Sequence, residues 1–213
     1  MNKIQNSIIL ILISSFSALS QQNDFQSWYA FSVNKKIVKK TEITIKSGLR
    51  LRENSTLYSK GFFDVKIKRK LSKRVALASG YRHAINRGIG SDFSTSYRFY
   101  SDISYKKKLS KRISSSIRNR WQTQGNMGVY KMTLRQKLSV MYNIRKIKLS
   151  PEISTEYFLN VIDGINKLRS TFSFSYPITK QIVFNLAYRI QQEFYVKDPE
   201  TIFIFEGKIS YDL

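Results

Sequence analysis

The sequence predicts an all-β fold, a transmembrane antiparallel up-and-down β-barrel of ten to twelve strands. Three observations predict it. Short turn sequences recur at near-constant spacing, and the residues between them alternate between apolar and polar. After Gln21, no apolar run approaches the roughly 20 residues that a spanning helix needs. If such a chain sits in a membrane, it must close its strands into a barrel. Lipid offers no partner for an open backbone N–H or C=O.

The turn repeat comes first. Leu71-Ser72-Lys73-Arg74-Val75 recurs as Leu109-Ser110-Lys111-Arg112-Ile113, with variants Val33-Asn34-Lys35-Lys36-Ile37 and Ile178-Thr179-Lys180-Gln181-Ile182. Asn143-Ile144-Arg145-Lys146-Ile147 is a shorter form. The interval between these sites holds one strand up, a connection and one strand down. Longer connections are predicted near Glu53–Lys60, Ile85–Ser94, Thr123–Gly128, Asn160–Lys167 and Lys197–Glu200, where Gly, Asn, Asp and Pro collect. Short turns alternating with longer loops is the habit of outer-membrane barrels, with the short side periplasmic.

The strands follow from period-two alternation. From Ile37 to Leu51, Ile43, Ile45, Leu49 and Leu51 share one face, and Glu42, Thr44, Lys46, Gly48 and Arg50 share the other. Phe63, Val65 and Ile67 oppose Asp64, Lys66 and Lys68, and Val75, Leu77 and Tyr81 oppose Ala76, Ala78, Gly80 and Arg82. Tyr97, Phe99, Ile103 and Tyr105 oppose Arg98, Tyr100, Asp102 and Lys106, and late in the chain Ile182, Phe184, Leu186, Tyr188 and Ile190 oppose Asn185, Arg189 and Gln191. Eleven candidate strands result, most of nine to fifteen residues. Single-chain bacterial barrels have even counts. Either a strand is split or missed, or Phe25–Val33 is not a full strand.

A soluble sandwich or lipocalin-like barrel also alternates, with its apolar face inward. Long strands, their number, and a polar face rich in charges of both signs with small residues between them favour the membrane form. So do tyrosines on the apolar face near strand ends, placed as interfacial girdles: Tyr29, Tyr81, Tyr97, Tyr105, Tyr130, Tyr142, Tyr157, Tyr176, Tyr188 and Tyr211.

Composition bounds the chemistry. Among 213 residues, 37 Lys and Arg face 14 Asp and Glu, a net charge of +23 that calls for an acidic partner. The absence of cysteine excludes disulfides, thiol catalysis and thiolate metal sites, and a single histidine excludes a multi-His metal centre. No cofactor is expected. Residues 1–20 read as a cleaved signal peptide, with Lys3 in the n-region, Ile8 to Ile13 and then Phe16 to Leu19 as the h-region, and Ala18 and Ser20 at −3 and −1 of a cut before Gln21. Residues 21–213 then form one barrel domain, monomeric, inserted by the barrel-assembly machinery into the bacterial outer membrane among its lipids and lipopolysaccharide.

Trp28 in the first strand, Gly48-Leu49-Arg50-Leu51-Arg52 closing the second, the Lys70-Leu71-Ser72-Lys73-Arg74 turn leading to Gly80-Tyr81-Arg82, and then Arg118-Asn119-Arg120 and Leu134-Arg135 carry a resemblance. With these motifs the chain resembles a family of Gram-negative outer-membrane barrels known as domain of unknown function 2490. The resemblance spans nearly all of the mature chain and implies a barrel, with no activity to carry over. The final strand also alternates, through Phe203, Phe205, Ile209 and Tyr211, and ends on Leu213 where an aromatic is usual.

The predicted inner face is basic. By phase it holds Lys46, Arg50, Lys66, Lys68, Arg82, Arg98, Lys106, Arg118, Arg120, Lys131, Arg135, Lys137, Arg169 and Arg189. Its acids are Glu42, Asp64, Asp102, Glu152, Glu156 and Glu193. Rings of Arg and Lys favour anions in a pore, so one reading is a narrow anion-favouring channel. The other is a closed, cross-linked lumen, since a small barrel can be filled by side chains. Basic residues at the turns, such as Lys73, Arg74, Lys111 and Arg112, read as solvated.

Enzyme action on lipid is the alternative class, with His83 as general base. The serine that barrel lipases place two residues on is here Ile85, so the chain is read as no enzyme. Nucleic-acid binding rests on charge alone, and no recognition module supports it. Arg87-Gly88-Ile89-Gly90 lacks the lysine and third glycine of a phosphate loop and reads as a flexible loop.

Overall fold

The structure is a computed structural model, and it describes residues 22–88, 92–126, 128–160, 164–196 and 198–213. The signal-peptide segment, Ile89 and Gly90 lie outside them. The strands are β1 (Gln22–Val38), β2 (Thr41–Arg52), β3 (Leu57–Lys70), β4 (Val75–Arg87), β5 (Phe93–Lys108) and β6 (Ile113–Asn126). They continue as β7 (Val129–Tyr142), β8 (Ser150–Asn160), β9 (Gly164–Pro177), β10 (Ile182–Glu193) and β11 (Glu200–Asp212). Each pairs antiparallel with its neighbours in sequence, and the sheet closes on itself.

The closure resolves the odd count. Neither a split nor a missed strand is involved, and Phe25–Val33 lies within a full-length β1. An odd number of up-and-down strands leaves the first and last pointing the same way, so they can meet only in parallel. They do: β1 pairs with β11 from Gln22 opposite Glu200 to Asn34 opposite Asp212. The start of β1 therefore stands at one rim and the end of β11 at the other.

The repeated turn sequence has a physical basis. Ser72 Oγ accepts backbone N–H bonds from Arg74 (3.1 Å) and Val75 (3.0 Å). Ser110 Oγ accepts from Arg112 and Ile113, and Thr179 Oγ1 from Gln181 and Ile182. A hydroxyl at the second position thus satisfies two N–H groups that the reversal leaves open. At the first turn Lys40 takes the left-handed conformation (φ 69°), and its carbonyl accepts from Lys70 N at 2.8 Å.

The predicted difference in length between the two ends is not found. β3 begins at Leu57, β4 runs to Arg87, β6 to Asn126, and β9 starts at Gly164. Most residues expected in long loops therefore extend the strands. On the other side, the Asn143 to Leu149 connection is longer than its shorter-form sequence suggested. One rim, the turn end, holds Ser72 and Ser110, and the other, the loop end, holds Glu53 and Asp92.

Burial is inverted relative to a soluble sheet. Ile45, Leu49, Phe63, Ile67, Phe99, Ile103 and Trp121 are exposed on the outer wall, whereas Asp64, Asp102, Arg120, Arg135 and Glu156 are buried. The buried apolar cluster inside is confined to Trp28, Ile202 and Ile204. Tyr29, Tyr105, Tyr130, Tyr142, Tyr157, Tyr176 and Tyr188 are exposed, while Tyr81, Tyr97 and Tyr211 are half-buried. Tyr81 packs against Phe99, with 5.0 Å between ring centroids. A continuous apolar outer wall is a feature that monomeric soluble proteins avoid.

Candidate functional site: a charged bore

Alternation sends every second side chain of each strand into the bore, and an odd inventory collects there. All eleven strands contribute to one internal cavity of about 800 Å³. It runs from Lys131, Asn166 and Lys167 toward the loop end to Lys66, Lys137 and Lys208 toward the turn end.

Its middle is a belt of arginines, most of them laid on an aromatic ring or a carboxylate. Arg50 stacks on Trp28, its guanidinium carbon 3.7 Å from the ring centroid. Arg82 covers Phe62 at 3.9 Å and donates Nε to Asp64 at 2.8 Å. Arg120 covers Tyr100 at 3.9 Å and grips Asp102 with two bonds of 2.6 and 2.8 Å. A planar guanidinium suits both tasks, stacking by its face and forking by its edge.

Two glycines make room for these rings. A Cβ at Gly80 would lie 2.7 Å from Val65 O and collide with the Tyr100 phenol; a Cβ at Gly48 would collide with the Phe62 ring. Phe62 and Tyr100 can lie along the wall rather than across the bore because the paired residue on the next strand has no side chain.

Across the bore, Glu156 on β8 gathers three arginines. Arg135 Nη2 donates to it at 2.8 Å and Arg118 Nη2 at 2.7 Å, and Arg169 Nη1 stands 3.5 Å away. Arg135 also lies over Phe158 at 4.3 Å and donates to Gln122. Arg189 pairs with Glu206 at 2.8 Å, Lys137 with Glu152 at 2.8 Å and Lys167 with Glu193 at 2.6 Å. Removing one partner from such a buried pair costs far more than the pair itself contributes.

A different set of cations has no such partner. Among the described residues, Lys46, Arg50, Lys66, Arg98, Lys131 and Lys208 line the cavity without an ion pair. Arg98 is held instead by Gln124 Oε1, to which both Nε (2.8 Å) and Nη2 donate.

Of the residues assigned inward by phase, Lys46, Arg50, Lys66, Arg82, Arg98, Arg118, Arg120, Lys131, Arg135, Lys137, Arg169 and Arg189 line this cavity, as do Asp64, Glu156 and Glu193. Asp102 and Glu152 do not line it; they lie against Arg120 and Lys137, which do. Lys68 and Glu42 are not in the bore cavity either. The ends of β1, β2 and β3 carry them to a second cavity at the turn end, with Lys36, Lys39, Lys40 and Lys70. Lys106 is exposed beyond the bore. Glu206, Lys208 and Gln122 line the cavity without having been singled out from sequence, and Gln191 joins them on the face that alternation gave it. The phase of Phe205, Ile209 and Tyr211 placed the first two inside.

His83 lies in register with Phe63 and Tyr97, residues of the outer face, and its ring centroid is 5.3 Å from that of Tyr97. No hydroxyl or carboxylate hydrogen-bonds to it among the described residues, so the constellation of a barrel lipase is not assembled there. No group of three or more His, Cys, Asp or Glu among the described residues is placed to hold a metal ion.

A closed barrel with an apolar outer wall and a charged bore defines the protein as a porin-like β-barrel. The chain belongs to the family described as a protein of unknown function (DUF2490), whose pattern matches residues 25–201. Among solved structures it is similar to the NanC porin in a rhombohedral crystal form, with 15% identity, a TM-score of 0.51, and coverage of 78% of this chain and 86% of that one. The KdgM porin in complex with disordered oligogalacturonate gives 12% identity, a TM-score of 0.49, and coverage of 79% and 90%. No curated protein matches the chain.

Proposed function

We propose that this chain is an outer-membrane channel of narrow bore that favours small anions, and acts without chemistry of its own. One observation carries this reading. After every lumen carboxylate has taken its arginine or lysine, the bore still holds Lys46, Arg50, Lys66, Arg98, Lys131 and Lys208 without an ion pair among the described residues. Unpaired cations along a low-dielectric bore attract anions and repel cations. Arg118, Arg135 and Arg169 share the Glu156 carboxylate in the same lumen, so one acid offsets only part of their charge. The apolar outer wall and the likeness to a porin barrel support placement in the outer membrane.

The test is conductance of the refolded barrel in a planar bilayer under a salt gradient. Discrete openings with an anion-favouring reversal potential are expected, and Arg50→Glu with Arg98→Glu should move that potential toward cation preference. Cation preference in the wild type would overturn the reading, as would a silent bilayer with a barrel shown to be folded.

A further inference from the structure

The bore does not account for most of the positive charge. Every connection at the turn end carries cations: Lys39 and Lys40, then Lys73 and Arg74, then Lys111 and Arg112. Arg145, Lys146 and Lys148 follow on the fourth and Lys180 on the fifth. All are exposed, and none makes an ion pair among the described residues. Strand ends add Lys35, Arg69 and Lys107 on the outer face, in register with Ile43, Thr41 and Ser115. The opposite rim differs. There Asp24, Glu53, Asp92, Asp198 and Glu200 stand beside Arg52 and Arg87.

Charge alone would suit any polyanion or plain hydration. A second observation narrows the choice. Each of these turns also exposes an aliphatic side chain beside its cations. Ile37 and Val38, Leu71, Leu109, Ile147 and Ile178 are each more than half exposed. They continue downward from the apolar outer wall through Tyr105, Tyr142 and Tyr176. Aliphatic groups held at a solvated or polyanion-binding rim would bring no gain, because they would stay in water. Cations interleaved with apolar anchors at the edge of an apolar wall match a lipid interface, where the anchors reach the acyl boundary and the ammonium groups meet phosphate.

We propose that the turn end is a docking collar for anionic phospholipid headgroups, which fixes the barrel in the leaflet that faces that end. The proposal rests on the reading of the barrel as membrane-spanning, but not on its being a channel. All five connections at this end carry a cation, and the ring is interrupted only where β11 ends on Asp212, so the collar grips lipid around most of the rim instead of at one pocket.

Native mass spectrometry of the detergent-refolded barrel tests it, with phosphatidylglycerol and phosphatidylcholine of matched acyl chains as probes. The wild type should retain phosphatidylglycerol at least about tenfold better, and the Lys73→Glu, Arg74→Glu, Lys111→Glu, Arg112→Glu variant should lose most of that preference, because each surface cation contributes on the order of a fivefold gain. Folding of the variant is checked by its gel mobility before and after boiling. Should it not fold, Lys111→Gln with Arg112→Gln replaces it, and a graded loss is the expected result. Equal retention of the two lipids, or a preference untouched by charge removal, overturns the proposal. So does tighter binding of soluble heparin than of phosphatidylglycerol vesicles, which would make the collar a polyanion site. Conductance of the same samples separates the two readings: lipid preference in a silent barrel removes the channel and keeps the collar, and the reverse result removes the collar alone.

Discussion

Tyr100 packs its phenol ring over Gly80 of the adjacent strand and donates its hydroxyl hydrogen to Asp64 two strands away, at 2.8 Å. The pair joins β3, β4 and β5 on the inside of the barrel, where apolar packing is otherwise scarce. Gly80→Ala would force Tyr100 off the wall or shift the Val65 carbonyl that lies 2.7 Å from the new Cβ. A loss of about 1–3 kcal/mol is expected, as for other overpacked sites. Urea unfolding from lipid vesicles measures it, and an unchanged midpoint would show that the ring has room to move.

Glu156 is the most heavily shared carboxylate of the bore, with Arg135, Arg118 and Arg169 around it. Glu156→Gln leaves these arginines without their common counter-charge. The change should cost about 3–5 kcal/mol of stability, the usual penalty for breaking a buried pair. It should also raise anion preference in the same bilayer assay. A stable variant with the wild-type reversal potential would mean that these arginines find other partners.

The anion preference itself should depend on ionic strength. Lys46, Arg50, Lys66 and Lys208 line the open cavity without an ion pair among the described residues, and the screening length falls from about 10 Å at 0.1 M to about 3 Å at 1 M salt. The reversal potential at a fixed concentration ratio should therefore shrink as both solutions are concentrated. A potential independent of salt would point to a direct binding site instead of a diffuse field.

His83 marks the boundary with enzyme function. Its ring lies on the outer face against Tyr97, without a hydroxyl or carboxylate hydrogen-bond partner among the described residues. The purified barrel should release no fatty acid from phospholipid above a boiled control. Release that disappears in His83→Ala would establish the lipid-modifying alternative.

The barrel was legible because its signals are local. The alternation of Ile43, Ile45 and Leu49 with Thr44, Lys46 and Arg50 needs only the two-residue period of a strand, and the structure has these faces. The Ser72 and Ser110 turns were visible as a repeat, though not the hydroxyl bonds that explain it. What the sequence could not show is how far strands run and where faces end. Phase assigned Lys68 and Glu42 to the bore, yet β1, β2 and β3 run on past it. Alternation separates Phe63 from Phe62, but only the register against Gly48 shows that the Phe62 ring can lie along the wall under Arg82. The parallel closure was hidden for another reason: the sequence yields eleven strands, but the even-count habit of single-chain barrels stands against that count. Unboiled and boiled protein should migrate differently on a detergent gel, and identical mobility would count against the barrel as a whole.

The parallel pairing of β1 with β11 has a topological consequence. In an even-stranded barrel both chain ends share a rim, and a few residues of linker can splice them so that the chain is reopened elsewhere. Here Gln22 and Asp212 stand at opposite rims, separated along the seam by the paired run from Gln22 to Asn34, a rise of about 40 Å at roughly 3.3 Å per residue. A splice from Asp212 back to Gln22 would have to thread the bore or run along the outer wall, so a linker of a few residues cannot permute this barrel.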